Sequence, residues 1–140
     1  MKKIELELAR SVHKEKIKGI EFLVAISPYF FPEYLRYGYD KDNGVFIFQF
    51  KYLDDANEPR RKQSDNIVTL EIGQTTGRLL GIELQVDKHN VDNIKLRIVE
   101  LASNAIERAE ERIESRELRS SYDALKESLR EHENTISEAL

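Results

Sequence analysis

Hydrophobic and polar residues alternate most clearly in the middle of the chain. Positions 45–52 read Val-Phe-Ile-Phe-Gln-Phe-Lys-Tyr. A strand sends successive side chains to opposite faces, so Phe46, Phe48, Phe50 and Tyr52 share one face. Val45, Ile47, Gln49 and Lys51 share the other, which turns polar toward the strand's end. Asn43-Gly44 stands just before this run and suits the left-handed conformations of a tight turn. Residues 67–72 and 79–86 alternate in the same way, with Leu80, Ile82, Leu84 and Val86 on one face. Gln74-Thr75-Thr76-Gly77 supplies the turn between them. Between these strands lies the polar tract Leu53 to Asn66, which contains Pro59 and reads as a long exposed loop. Strands joined by short turns pair antiparallel. Residues 37–86 therefore predict an antiparallel meander of three or four strands.

From Asn90 onward the period changes. Val91, Ile94, Ile98, Leu101, Ala102, Ala105, Ile106, Ala109 and Ile113 recur at three and four, the spacing of one helix face. Asn90 suits a cap and Asp92 suits the positive end of the helix dipole. This helix is the natural cover for the apolar sheet face. Leu118, Tyr122, Leu125, Leu129, Ile136 and Leu140 continue the stripe after a slip in phase. No Gly or Pro follows Gly81, so 91–136 forms either one bent helix or two, with Ser120 or Ser121 as a possible second cap.

The first 36 residues are less regular. Ile4, Leu6 and Leu8 alternate with charged residues over 3–9, while the spacing 4, 8, 12 also serves a helix. Residues 13–19 are polar and lysine-rich. Ile20 to Ile26 is either a buried strand, favoured by Phe22, Val24 and Ile26, or the end of a helix. Pro28 and Pro32 forbid a regular helix through the aromatic patch 27–37, although a short helix can start at Pro32. The fold class is thus α+β in one domain, 1–140: an antiparallel four- to five-stranded meander, with 37–86 as the sheet core, packed by C-terminal helices.

Composition narrows the function classes. With no cysteine there are no disulfides, thiolate ligands or Cys nucleophiles. No apolar run reaches the roughly 18 residues that a bilayer requires, and Glu5 and Glu7 interrupt any signal-peptide core. The expectation is a cytoplasmic protein without a membrane partner. The chain has 22 basic and 26 acidic side chains. Residues 1–90 hold 14 of each, whereas 91–140 hold 8 basic and 12 acidic, so the helices carry the whole excess. That balance opposes non-specific nucleic-acid binding.

Tyr39-Asp40-Lys41-Asp42-Asn43-Gly44-Val45-Phe46-Ile47, followed by Gly77-Arg78-Leu79-Leu80-Gly81-Ile82-Glu83-Leu84, resembles the small uncharacterised bacterial proteins grouped as DUF2283. That family has a "YD…D.L.I" hairpin, an intervening strand and a "G.L.GIEI" strand. The resemblance spans about 50 residues and implies a fold, with no catalytic role to carry over. Here the tract 53–66 is longer than the family's connection. Gly73-Gln74-Thr75-Thr76 also lacks the acidic residues expected before the final turn.

Candidate chemistry is sparse. His13, His89 and His132 lack the paired spacing of a metal site. Asp40, Asp42 and Asn43 imitate part of a calcium loop, but position 51 is Lys where a Glu is needed, so they read as a turn. No motif calls for a cofactor. Gly73 and Gly77 fit turns, and Gly81 fits a bulge or a close helix approach. Glu71 and Glu83 lie on strands expected to adjoin, and would be the acid/base pair of a small hydrolase. Arg60, Arg61 and Lys62 are the tight basic cluster of a nucleic-acid-associated regulator, which Arg78 joins only if the loop folds back over the 73–77 turn. The preferred reading is non-enzymatic: a structural or protein-interaction module that self-associates. A homodimer is favoured, through the sparse stripe Tyr122, Leu125 and Leu129, because one helix cannot cover both sheet faces.

Overall fold

The computed structural model describes residues 1–6, 12–54 and 58–140. Within them, eight strands and three helices follow in order: β1 (Lys2–Glu5), β2 (Val12–Ile17), β3 (Ile20–Ala25), β4 (Tyr34–Asp40), β5 (Val45–Lys51), β6 (Arg60–Asp65), β7 (Val68–Gly73), β8 (Leu79–Gln85), α1 (Val91–Glu110), α2 (Arg116–Glu131) and α3 (Glu133–Ser137). The α+β class holds. The main sheet has six strands, more than the four or five expected, in the order β1-β4-β5-β8-β7-β6 and antiparallel throughout. β2 and β3 form a separate hairpin.

This order departs from a simple meander. β5 pairs with β8, Phe48 lying opposite Ile82, while β6 is carried out to the far edge. The tract expected to be a long loop contains β6, which closes a hairpin with β7 around Asn66 and Ile67. Asn66 takes a left-handed φ of 56° there. β1 adds to β4 at the opposite edge; positions 7–9 of that expected strand lie outside the described residues. Residues 13–17, read as a polar stretch, belong to β2, and Lys18-Gly19 makes the turn into β3. β4 starts at Tyr34, so no helix begins at Pro32.

Alternation sorts the sheet faces. Leu35 and Tyr37 of β4, Phe46, Phe48 and Phe50 of β5, Ile82 and Leu84 of β8, and Val68, Leu70 and Ile72 of β7 are all buried. α1 covers them with Ile94, Ile98, Ala102, Ala105, Ile106 and Ala109. Each large side chain buried here contributes about 2 kcal/mol from removing apolar area from water. The other face carries Arg36, Gln49, Lys51, Glu71, Glu83, Lys62 and Ser64, together with the half-buried Tyr34, Val45 and Ile47. Polar side chains outnumber apolar ones there, so this face tolerates water better than the one under α1.

The helical region is broken rather than continuous. α1 ends at Glu110, and Ser115 starts α2 by accepting a hydrogen bond from the Leu118 N–H at 3.3 Å. The cap is therefore Ser115, not Ser120 or Ser121, both of which are buried inside α2. Asn90 precedes α1 without a side-chain cap bond; its Oδ1 accepts from the Asp87 N–H at 2.7 Å.

Local backbone geometry explains two glycines. Gly44 has φ 63°, and an added Cβ would meet the Val86 carbonyl at 2.9 Å. Gly81 stands beside the extra residue of a bulge in β8, Leu80, where the register against β7 shifts between Glu71 and Ile72, and its close neighbour is the Phe48 carbonyl of β5 rather than a helix. Among the described residues no helix is long and apolar enough to cross a membrane.

Candidate functional site

Edge strand β6 is where the exposed backbone and the candidate basic residues meet. Its side chains alternate strictly. Arg61, Gln63 and Asp65 pair with Ile72, Leu70 and Val68 and so lie on the helix side. Arg60, Lys62 and Ser64 pair with Gly73, Glu71 and Thr69 on the open side. Arg60, Arg61 and Lys62 are exposed, but they do not form one cluster, because period two sends Arg61 away from its neighbours. Arg60 also bonds Glu71 at 2.7 Å. On the helix side Asp65 pairs with Arg108 of α1, and the two side chains keep 46% and 51% exposure.

The hairpin fixes which β6 backbone groups are free. In a two-residue hairpin the flanking pair, here Asp65 and Val68, exchanges both backbone hydrogen bonds. The N–H and C=O of 61, 63 and 65 then point to β7, and those of 60, 62 and 64 point outward. Among the described residues β6 thus ends the sheet with an extended, unpaired backbone row, the feature that makes an edge strand a template for another strand.

Glu71 and Glu83 do share the open face on adjacent strands. Glu71 lies opposite Gly81 and Glu83 opposite Thr69, so the two are diagonal neighbours. Glu71 is held by Arg60 and faces Lys62, in a half-buried sheet surface rather than a substrate groove.

Tyr122, Leu125 and Leu129 correct the sequence reading. They are 1%, 0% and 1% exposed, packed in the core of their own chain. The Tyr122 hydroxyl donates to the Gly77 carbonyl at 2.8 Å, and burial pushes the phenol's pKa up. A helix stripe buried this way leaves nothing for a second subunit to touch.

Sequence reasoning also missed two clusters. The first is centred on Arg78, which is 1% exposed. The polar tract does fold back over the turn: Gln74 N–H donates to the Pro59 carbonyl at 2.9 Å, and the Thr76 hydroxyl donates to Glu58 at 2.8 Å. Arg78 nevertheless turns inward instead of joining Arg60 and Arg61. Its guanidinium bonds Asp54 and the Tyr29 carbonyl, lies 3.6 Å from Glu58, and sits between the Tyr29 and Tyr52 rings at 4.6 and 4.5 Å. Planar cations stack well on aromatic faces. Every partner belongs to this chain, so the cluster clamps the β5–β6 crossover to the β7–β8 turn.

The second cluster lies in a cleft of about 290 Å³ between α1 and α2, lined by Glu107, Glu110, Glu111, Arg119, Asp123 and Lys126. Lys126 bonds both Glu110 and Asp123 at 3.0 Å. Burial, reinforced by a hydrogen bond with Asp123, pushes Glu110 up to about 7 despite the lysine. The lysine's own pKa is raised: burial opposes its charge, but the two carboxylates outweigh that.

Asp40 accepts from the Asp42 and Asn43 N–H groups at 3.2 Å and from the Asn43 amide at 2.7 Å. The Asn43 side chain leads in holding its carboxyl below the usual value, so this segment is a tied turn. Among the described residues no group of three or more His, Cys, Asp or Glu is arranged to hold a metal ion. No family model, curated protein or solved structure matches the chain.

Proposed function

We propose that this chain is a non-enzymatic protein-interaction module that self-associates, and that its contact element is the open edge of the main sheet at β6. One observation carries this reading. β6 is a regular six-residue strand with Arg60, Arg61, Lys62 and Ser64 exposed, Gln63 and Asp65 half-buried, and an outward row of backbone groups unpaired among the described residues. Adding a strand there gains main-chain hydrogen bonds without rearranging the core. β1, at the other edge, is shorter, and shortness is one way in which proteins blunt an edge.

The two other readings have less support. A nucleic-acid surface would need Arg60, Arg61 and Lys62 to act together, whereas they divide between two faces and Arg60 is neutralised by Glu71. A hydrolase would need Glu71 free in a groove. Kinship with DUF2283, and a bacterial cytoplasmic setting, belong to the same proposal. The β4–β5 and β7–β8 hairpins support that kinship because they carry its quoted motifs.

Light scattering across a concentration series tests the proposal. The expected mass rises from monomer toward dimer. A strict monomer at the highest soluble concentration would overturn it.

A further inference from the structure

Resting on that reading, we infer that two copies join β6 to β6 antiparallel about a two-fold axis at Gln63, with Arg61 of each copy paired to Asp65 of the other. Symmetry restricts the choices severely. When identical edge strands pair antiparallel and keep their helices on the same side, one residue must face its own copy. Centring on Arg61 or Lys62 would oppose two like charges, which is destabilising. Centring on Gln63 opposes two neutral amides. It also puts Arg61 opposite Asp65 twice and Lys62 opposite Ser64 twice.

Backbone geometry agrees with this register. The outward-facing groups are those of 60, 62 and 64, so Lys62 and Ser64 form the hydrogen-bonded pairs across the new junction. Gln63 then occupies the closer, non-hydrogen-bonded position. Arg61, Gln63 and Asp65 all lie on the helix side. Asp65 already holds Arg108 yet remains 46% exposed, which leaves room for a second guanidinium. Arg61 is exposed and makes no ion pair within its own chain among the described residues. Each junction end would thus become an Arg108–Asp65–Arg61 ladder, the last residue coming from the second copy.

The helices do not obstruct this joining. α1 packs over β7. The two β7 strands would be three strand spacings apart, about 14 Å, more than the roughly 10 Å at which helices touch. The product is a continuous twelve-strand sheet with both helical layers on one side. The contact is small and polar, so it should dissociate on dilution and weaken with salt.

Sedimentation velocity on the full chain tests this, with circular dichroism as the check on folding. Wild type should dimerise. Arg61→Asp should weaken association at least tenfold, and Lys62→Pro, which removes an outward N–H, should do the same. Arg61→Asp combined with Asp65→Arg should restore it by exchanging the charges. If Asp65→Arg unfolds the chain against Arg108, the Arg61→Asp and Lys62→Pro variants decide. A wild-type dimer indifferent to both would overturn the register while leaving self-association intact. A wild-type monomer at every concentration would overturn both.

Discussion

Arg78 illustrates how one residue holds separated segments together. Asp54, Glu58, Thr76 and the Tyr29 carbonyl all bond or face its guanidinium. Replacing it with Met keeps much of the stacking volume but leaves Glu58 buried without its cation. Breaking a buried pair from one side costs about 3 kcal/mol or more. Urea unfolding of Arg78→Met should show that loss, and Arg78→Lys should recover only part of it, because an ammonium lacks the planar fork. Full stability in Arg78→Met would refute the clamp. None of this was legible beforehand. A single arginine in a turn has no periodicity, and its acidic partners lie 24 and 20 residues away in a tract that looked like a free loop.

Glu110 makes the second residue-scale prediction. Its folded pKa of about 7 lies above the ordinary 4.5. Between those values the folded protein keeps a proton that the unfolded chain has released. The stability contributed by this group is therefore complete below 4.5 and is lost as pH rises through about 7. Stability measured across that window should fall less steeply in Glu110→Gln, which carries no titrating proton. Parallel curves for the variant and wild type would remove the carboxylate from the account.

At the scale of elements, the strands β5, β7 and β8 were readable because each has one apolar and one more polar face. β6 was not, because Arg60 to Asp65 has no apolar face on either side. Its strand form comes from pairing with β7, a tertiary fact that propensity does not contain. α2 shows the opposite limit. The stripe of Tyr122, Leu125 and Leu129 correctly announced a buried face, but periodicity says only that a face is buried, not against what. The distinction can be measured. Leu125→Ala should destabilise the monomer by about 3 kcal/mol through an unfilled cavity. It should leave any dimer dissociation constant unchanged while the protein is folded. A selective loss of association with unaltered unfolding would restore the original interface reading.

For the whole molecule, the sheet has one dry face, and all the helices serve it. Ile136 of α3 is fully buried, as are Leu125 of α2 and Ile106 of α1. α2 and α3 both pack on α1, and α2 also touches the separate β2–β3 hairpin. The Ser27 N–H donates to Glu117 of α2 at 3.1 Å, binding the chain just after that hairpin to the helix. An isolated two-stranded hairpin is at best marginally stable in water, so α2 supports it as well as completing the core. The helices after α1 are therefore structural, not an appendage free to serve assembly. A chain ending at Glu111 would expose the surface that Tyr122, Leu125, Leu129 and Ile136 cover in the full protein. It should unfold without a cooperative transition and bind a hydrophobic dye, although all six strands of the main sheet remain in its sequence. Calorimetry of that truncation should lack a sharp endotherm. A cooperative transition near the full chain's midpoint would mean that the sheet and α1 suffice, and would return α2 to the role of an assembly surface.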